Sequence, residues 1–260
     1  MTATPLLRVE GATIQYETDE SVIVAVWRAS FEVRRGERLM ILGRSGCGKS
    51  TLLKAIGGYL LPVEGAITLE GKPVRRPGPD RMIVWQDHDQ LLPWKTVRQN
   101  VLYPMQLCGI ARAEAQARAD QFIEKVGLTR AADQYPHQLS GGMKMRVAVA
   151  RGLAMKPAVL LMDEPFAALD ALTRETMQHE LLRLQEETGS TIVFVTHDVA
   201  EAAVLGSRII VMSPFPGQIK ANLDVTRFAS REELIRVVDG VVHDDDDDKK
   251  DIVVEEMGAA

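Results

Sequence analysis

Arg38-Leu39-Met40-Ile41-Leu42-Gly43-Arg44-Ser45-Gly46-Cys47-Gly48-Lys49-Ser50-Thr51-Leu52-Leu53-Lys54-Ala55-Ile56 is the stretch on which the reading turns. Its first residues form a short aliphatic run of the kind that makes a buried strand. Its last residues, from Ser50, read as a helix. Between them Gly43–Ser50 matches G-x-x-x-x-G-K-[ST] in the strand–loop–helix setting that this pattern requires. Glycines there let backbone N–H groups turn inward around an anion, and the helix N-terminus adds its positive dipole end. Gly43, Arg44, Ser45, Gly46, Cys47, Gly48, Lys49, Ser50 and Thr51 are therefore expected to hold a nucleotide's phosphates. Lys49 is placed to reach the outer phosphates, and the Ser50 hydroxyl is placed to bind Mg²⁺.

Outward from this loop, further short apolar runs are expected to be strands: Leu6–Ile14, Ala29–Val33, Ala66–Leu69, Met82–Trp85, Val159–Met162, Ile192–Thr196 and Ile209–Met212. The later runs are apolar almost throughout, which suits parallel strands buried on both faces. Helical stretches alternate with them at Lys49–Gly57, Arg112–Val126, Gly142–Met155, Ala171–Glu187 and Val199–Leu205. The alternation predicts an α/β fold with a mostly parallel sheet. The first strands, closely spaced with Gly and Pro turns, predict an antiparallel β subdomain. Residues from about 96 to 141 hold helices without a convincing strand and read as a helical insertion.

A second site element follows the apolar run Val159–Met162. Asp163 and Glu164 emerge at its C-terminal end, where ligands bind in open α/β sheets. Asp163 suits a Mg²⁺ anchor and Glu164 a general base for the attacking water. A third element, Leu139-Ser140-Gly141-Gly142-Met143, opens a helix; taken alone it is an N-cap followed by two glycines.

The set of motifs resembles the ATPase subunit of an ABC transporter from about Val9 to Val225. Gly43–Ser50 resembles its Walker A loop, Leu160–Glu164 its Walker B strand, and Leu139–Met143 its LSGGQ signature, with Met143 where Gln is usual. Gln86 resembles the Q-loop glutamine, Phe166–Asp170 the D-loop, and His197 the switch histidine. The resemblance implies an α/β P-loop NTPase core with an N-terminal antiparallel β subdomain and a helical subdomain at about 96–141. It implies ATP and Mg²⁺, and a head-to-tail pair of ATPase subunits with each nucleotide between one Walker A loop and the other subunit's signature. Ser140, Gly141 and Gly142 would then contact the outer phosphate across the interface, and Asp170 would organise that interface. Glu164, His197 and Gln86 would form the catalytic group; Ser50, Gln86 and Asp163 would hold the metal. Tyr16 lies where the family places an adenine-stacking aromatic. Trp27 competes, because the interval between Tyr16 and the strand at Phe31 reads as a loop longer than the family's.

The segment Gln86–Val97, with Leu91-Leu92-Pro93-Trp94, is similar to the nitrate, sulfonate and taurine importers of that family, as are Pro165–Arg174 and Ser213–Ile219. Trp85 and Met145 depart from their pattern. The likeness implies an ATP-hydrolysing subunit that energises uptake of a small anionic solute through a separate permease, at the cytoplasmic face of the inner membrane. A solute-binding protein would act through the permease. Leu91, Leu92 and Trp94 would be apolar anchors for the permease, or would instead pack beneath the helical insertion. The alternatives are the ATPase of a lipid or other solute export system, or a non-transport ABC ATPase. Exporters commonly carry fused membrane helices, although lipid-transport ATPases are separate chains, and non-transport members carry fused ATPase units or a coiled coil; none of these features is read in this chain.

Composition agrees with a peripheral subunit. The 260 residues carry a formal charge of −5, of which −6 lies in 243–260, leaving +1 for residues 1–242. Such a body offers no broad basic face for nucleic acid. Cys47 and Cys108 are the two cysteines, too few for a disulfide framework, and a reducing compartment is expected. The longest apolar runs fall far short of the roughly 20 residues of a membrane helix, and Met1–Glu10 reads as lacking a secretory signal. Beyond the ATPase domain, 5–225, residues 226–242 are expected to form a helix that packs on the body, and 243–260 an acidic, disordered tail.

Overall fold

Two sheets organise the protein in a computed structural model, which describes residues 4–17, 21–87 and 90–243. β1 (Leu7–Glu17) pairs antiparallel with β2 (Val22–Val33), and on its other edge with β4 (Glu64–Leu69), which carries the short β5 (Lys72–Pro73). The strand order is β2-β1-β4-β5. Tyr16 faces Ile23 across the β1–β2 pair. The interval expected to be a long loop between Tyr16 and Phe31 instead holds the first half of a strand: the apolar run from Val22 to Trp27 pairs with β1, although Val22 and Ile23 at its start are exposed.

The second sheet has the order β10-β9-β3-β8-β7-β6. Its strands are β3 (Arg38–Leu42), β6 (Arg81–Val84), β7 (Val159–Asp163), β8 (Ile192–Thr196), β9 (Arg208–Met212) and β10 (Ile219–Asp224). All neighbours are parallel except β10, which returns antiparallel beside β9. β10 has a half-exposed, mixed composition as an edge strand, so it lacks the apolar signature that identified the others.

The sheet's pleat sorts its side chains into two cores. Leu39, Ile41, Leu161, Val193 and Val195 pack with α1 (Lys49–Ile56) and the antiparallel sheet. Met40, Leu42, Leu160, Met162 and Phe194 pack with the helices on the opposite face. These are α2 (Val97–Leu107), α3 (Arg112–Lys125), α4 (Gly141–Ala154), α5 (Ala171–Thr188), α6 (Val199–Leu205) and α7 (Arg231–His243). α2 and α3 lie in the region read as a helical insertion. α2 begins on a reciprocal cap between Thr96 and Gln99, a pairing that satisfies two otherwise unpaired helix-end donors. α7 buries Leu234 and Val238. Residues 244–260 of the acidic segment lie outside the described residues. Among the described residues, no helix is long and apolar enough to cross a membrane.

Candidate nucleotide-hydrolysis site

The C-terminal ends of β3, β7 and β8 lie side by side, so whatever follows them converges. After β3 comes the glycine loop. Gly48 has φ 89°, and a Cβ there would stand 2.5 Å from the Ala25 carbonyl oxygen of β2. Only glycine meets both demands. Gly43 is equally crowded, by Cys47 Sγ and the Met212 carbonyl. Cys47 is fully buried, and burial raises its thiol pKa. Its side chain thus packs the underside of the loop and leaves its backbone to line the nest. Arg44, Ser45 and Gly46 form the exposed rim.

Lys49 opens α1 and is 4% exposed. Its Nζ donates to the carbonyls of Gly43 at 2.8 Å and Arg44 at 3.0 Å, and lies 3.7 Å from Glu164 Oε1. The ammonium is held by loop oxygens at the mouth of the nest. Ser50 Oγ donates to Asp163 Oδ1 at 2.7 Å, joining the two groups expected to share a metal. Asp163 is 8% exposed, and burial raises its pKa, against the lowering effect of the Ser50 bond. A buried carboxylate beside a hydroxyl gains from a cation. This hard-oxygen donor pair fits Mg²⁺, which keeps much of its shell as water and phosphate oxygen.

Glu164 sits at φ 41°, in the left-handed region. Such a conformation costs a non-glycine residue on the order of 1 kcal/mol. It is held by a 3.0 Å bond from its backbone N–H to the Val195 carbonyl. The turn aims its carboxylate between Lys49 and His197, whose Nδ1 is 2.8 Å from Glu164 Oε2. A small cavity beside the pair is lined by Phe166, Ala167, Arg174, Thr196, Asp198 and Glu201. Gln86 follows β6 and faces an open cleft with Lys54 and Asp163.

Tyr16 lies above the start of α1, its hydroxyl 3.0 Å from Thr51 Oγ1 and its ring 38% exposed. Trp27 lies elsewhere on β2, under the Arg28 guanidinium at 5.6 Å. Its neighbour Val26 turns the other way, against Gly48.

The structure does not bring every expected residue to this centre. Ser140 accepts from Met143 N–H at 3.3 Å and caps α4. Asp170 Oδ1 accepts from Thr173 N–H at 3.0 Å and caps α5. Among the described residues, no hydrogen bond links Ser140, Gly141 or Gly142 to Gly43–Ser50. Leu91 is 3% exposed and packs in the helical core, so it is no anchor; Leu92 is half-buried and Trp94 is 69% exposed. One contact was not foreseen. The β9–β10 loop joins β2 through bonds between Gly217 and both Ala25 and Trp27, and lays the Phe215 ring beside Gly46. Its sequence, Ser213-Pro214-Phe215-Pro216-Gly217, announces a turn but not where the turn lands.

Comparison with known proteins agrees with this geometry. The ABC transporter family profile matches residues 26–167. The taurine import ATP-binding protein TauB of Rhizobium johnstonii is 46% identical over 228 residues, 86% of this chain and 87% of that protein. The nitrate import ATP-binding protein NrtD of Synechococcus elongatus is 43% identical over 77% of this chain and 74% of that protein. Among solved structures, cbiO1 of Clostridium perfringens, part of the ABC transporter complex cbiONQ, superposes with a TM-score of 0.78 at 31% identity, covering 91% of this chain and 95% of that one. A dimeric post-hydrolysis structure of the ATP-binding cassette MJ0796 with ADP and Pi gives 0.72 at 32% identity, covering 84% and 98%. The strand–loop–helix phosphate cradle, the paired carboxylates and these likenesses have one common account: the chain belongs to the ABC transporter ATPase family.

Proposed function

We propose that this ATPase energises the uptake of a small anionic solute of the nitrate, sulfonate or taurine kind. It works from the cytoplasmic face of the inner membrane, through a separate permease and the solute-binding protein that feeds it. The observation that carries the hydrolytic part is the meeting of Lys49, Ser50, Asp163, Glu164 and His197 within one set of contacts. The import relatives support the direction and the solute class.

Backbone N–H groups of Gly43–Thr51 and the α1 N-terminus receive the phosphates. Lys49 neutralises the outer ones, and Tyr16 stacks on the adenine. Ser50 and Asp163, with Gln86 at the cleft edge, would hold Mg²⁺, which supplies charge neutralisation along the phosphate chain. Glu164 takes a proton from water as the water oxygen attacks the γ-phosphorus, and the bond to the β-phosphate oxygen breaks. His197 orients Glu164 and contacts the γ-phosphate. Such a centre still lacks donors on its open side. Ser140, Gly141 and Gly142 of a second copy supply them, with Asp170 organising the head-to-tail interface. Nucleic acid has no part in this scheme.

Glu164→Gln tests it. The amide cannot accept the proton, so turnover should fall by about 10²-fold or more, while ATP binding persists and a stable dimer is seen by light scattering. Wild-type turnover would overturn the base assignment. Uptake of labelled taurine, nitrate and an alkanesulfonate by the assembled transporter tests the solute class; transport of none of them would overturn it.

A further inference from the structure

We propose that Arg174 is a positioning residue that locks the loop after Glu164 to the segment carrying His197, so that the two site residues and Asp170 move as one unit. The inference rests on the hydrolytic reading of Glu164 and His197.

Arg174 lies in the first turn of α5. One guanidinium nitrogen, Nη2, donates to the Leu169 carbonyl at 3.2 Å; the other, Nη1, lies 3.7 Å from Asp198 Oδ2. Asp198 divides its carboxylate. Oδ1 accepts from Glu201 N–H at 3.0 Å and caps α6, which leaves Oδ2 for Arg174. Asp198 is bonded directly after His197, whose ring meets Glu164. The contacts thus close a ring: Glu164, the Phe166–Leu169 loop, Arg174, Asp198, His197 and back to Glu164. The small cavity beside Glu164 and His197 lies inside this ring, and Arg174 is one of its walls.

A single residue spanning both loops needs a planar head with two separated donors, which Arg has and Lys lacks. Arg174 Nε is buried without a hydrogen-bond partner among the described residues. The neighbouring Asp170 caps the same helix, so a push on Asp170 from a second subunit passes through the first turn of α5 to Arg174, and from there to both loops.

Arg174→Gln, Asp198→Asn and the double variant should be assayed for steady-state ATP hydrolysis, ATP affinity and melting temperature. Asparagine keeps the α6 cap, so Asp198→Asn removes the ion pair alone. Each single variant should lose about tenfold in kcat with KM changed less than about threefold, and the double variant should be no worse than either single. Arg174→Lys, which keeps the charge but not the two-armed reach, should lie between. Unchanged kcat, a rise in KM alone, or losses that multiply in the double variant would overturn the proposal. Glu164→Gln in the same assay separates the two readings. Full turnover there sinks the hydrolytic assignment itself. A dead Glu164→Gln beside a fully active Arg174→Gln sinks only the role of Arg174.

Discussion

Asp163 carries the sharpest conflict between stability and function. It is nearly buried, and burial holds its pKa above the ordinary carboxylate value. For an acid, a raised folded-state pKa means that the unfolded chain gives up its proton first. Stability is thus highest below the unfolded pKa and falls as pH rises through the window up to the folded pKa. The nucleotide-free protein takes on that cost as pH rises through this window. Asp163→Asn keeps an acceptor for Ser50 Oγ and removes the charge. We expect its melting temperature at pH 7.5 to rise by a few degrees over wild type, with the gain shrinking at pH 4.5, while magnesium-dependent ATP binding is lost. Calorimetry across that pH range reads the first effect and nucleotide titration the second; an unchanged or lowered melting temperature at pH 7.5 would refute the charge argument.

At the scale of elements, three helices begin on side-chain caps: Ser140 for α4, which the sequence alone reads as an N-cap, and Asp170 for α5 and Asp198 for α6, which it does not. The first two thus hold a helix start in place as well as their proposed interface roles. Substitution can separate the two at Asp170. Asp170→Ala should lower the melting temperature through the lost cap and should also weaken ATP-driven dimerisation. Asp170→Asn should keep the melting temperature and still weaken dimerisation, because the cap survives and the charge does not. Loss of stability in both variants alike would show that the charge, not the cap, holds α5. The apolar strands β3, β7, β8 and β9 were legible because each is buried on both faces. β10 was not, since a half-exposed edge strand has mixed composition. Glycine-loop residues were legible because their spacing is itself the chemistry. The Phe215–Gly46 contact and the Arg174 bridge join residues 169 and 24 positions apart or more in their contacts to the loop and to Asp198, and such meetings are set by packing of distant elements, not by any local pattern.

For the whole molecule, what matters is how a body with nearly balanced charge and no membrane-crossing helix among its described residues engages a membrane protein. Trp94 offers the most exposed aromatic handle near the cleft that follows β6, at 69% exposure, with half-buried Leu92 beside it. Its base is stiff. Asn100 on α2 accepts from Leu92 N–H at 2.8 Å and donates to the Leu92, Lys95 and Thr96 carbonyls, so the Leu92–Thr96 turn is fastened to the helix beneath it. A large ring on a fastened turn loses little entropy on binding, which is what an anchor requires. Trp94→Ala touches neither the core nor the phosphate loop. The isolated subunit should therefore keep its melting temperature and its basal ATPase rate, while recovery of the permease complex and solute-stimulated hydrolysis fall several-fold. Asn100→Ala should give the same loss of coupling by loosening the turn, together with a lower melting temperature from the unpaired groups it leaves. Full coupling in Trp94→Ala would move the permease contact away from this turn.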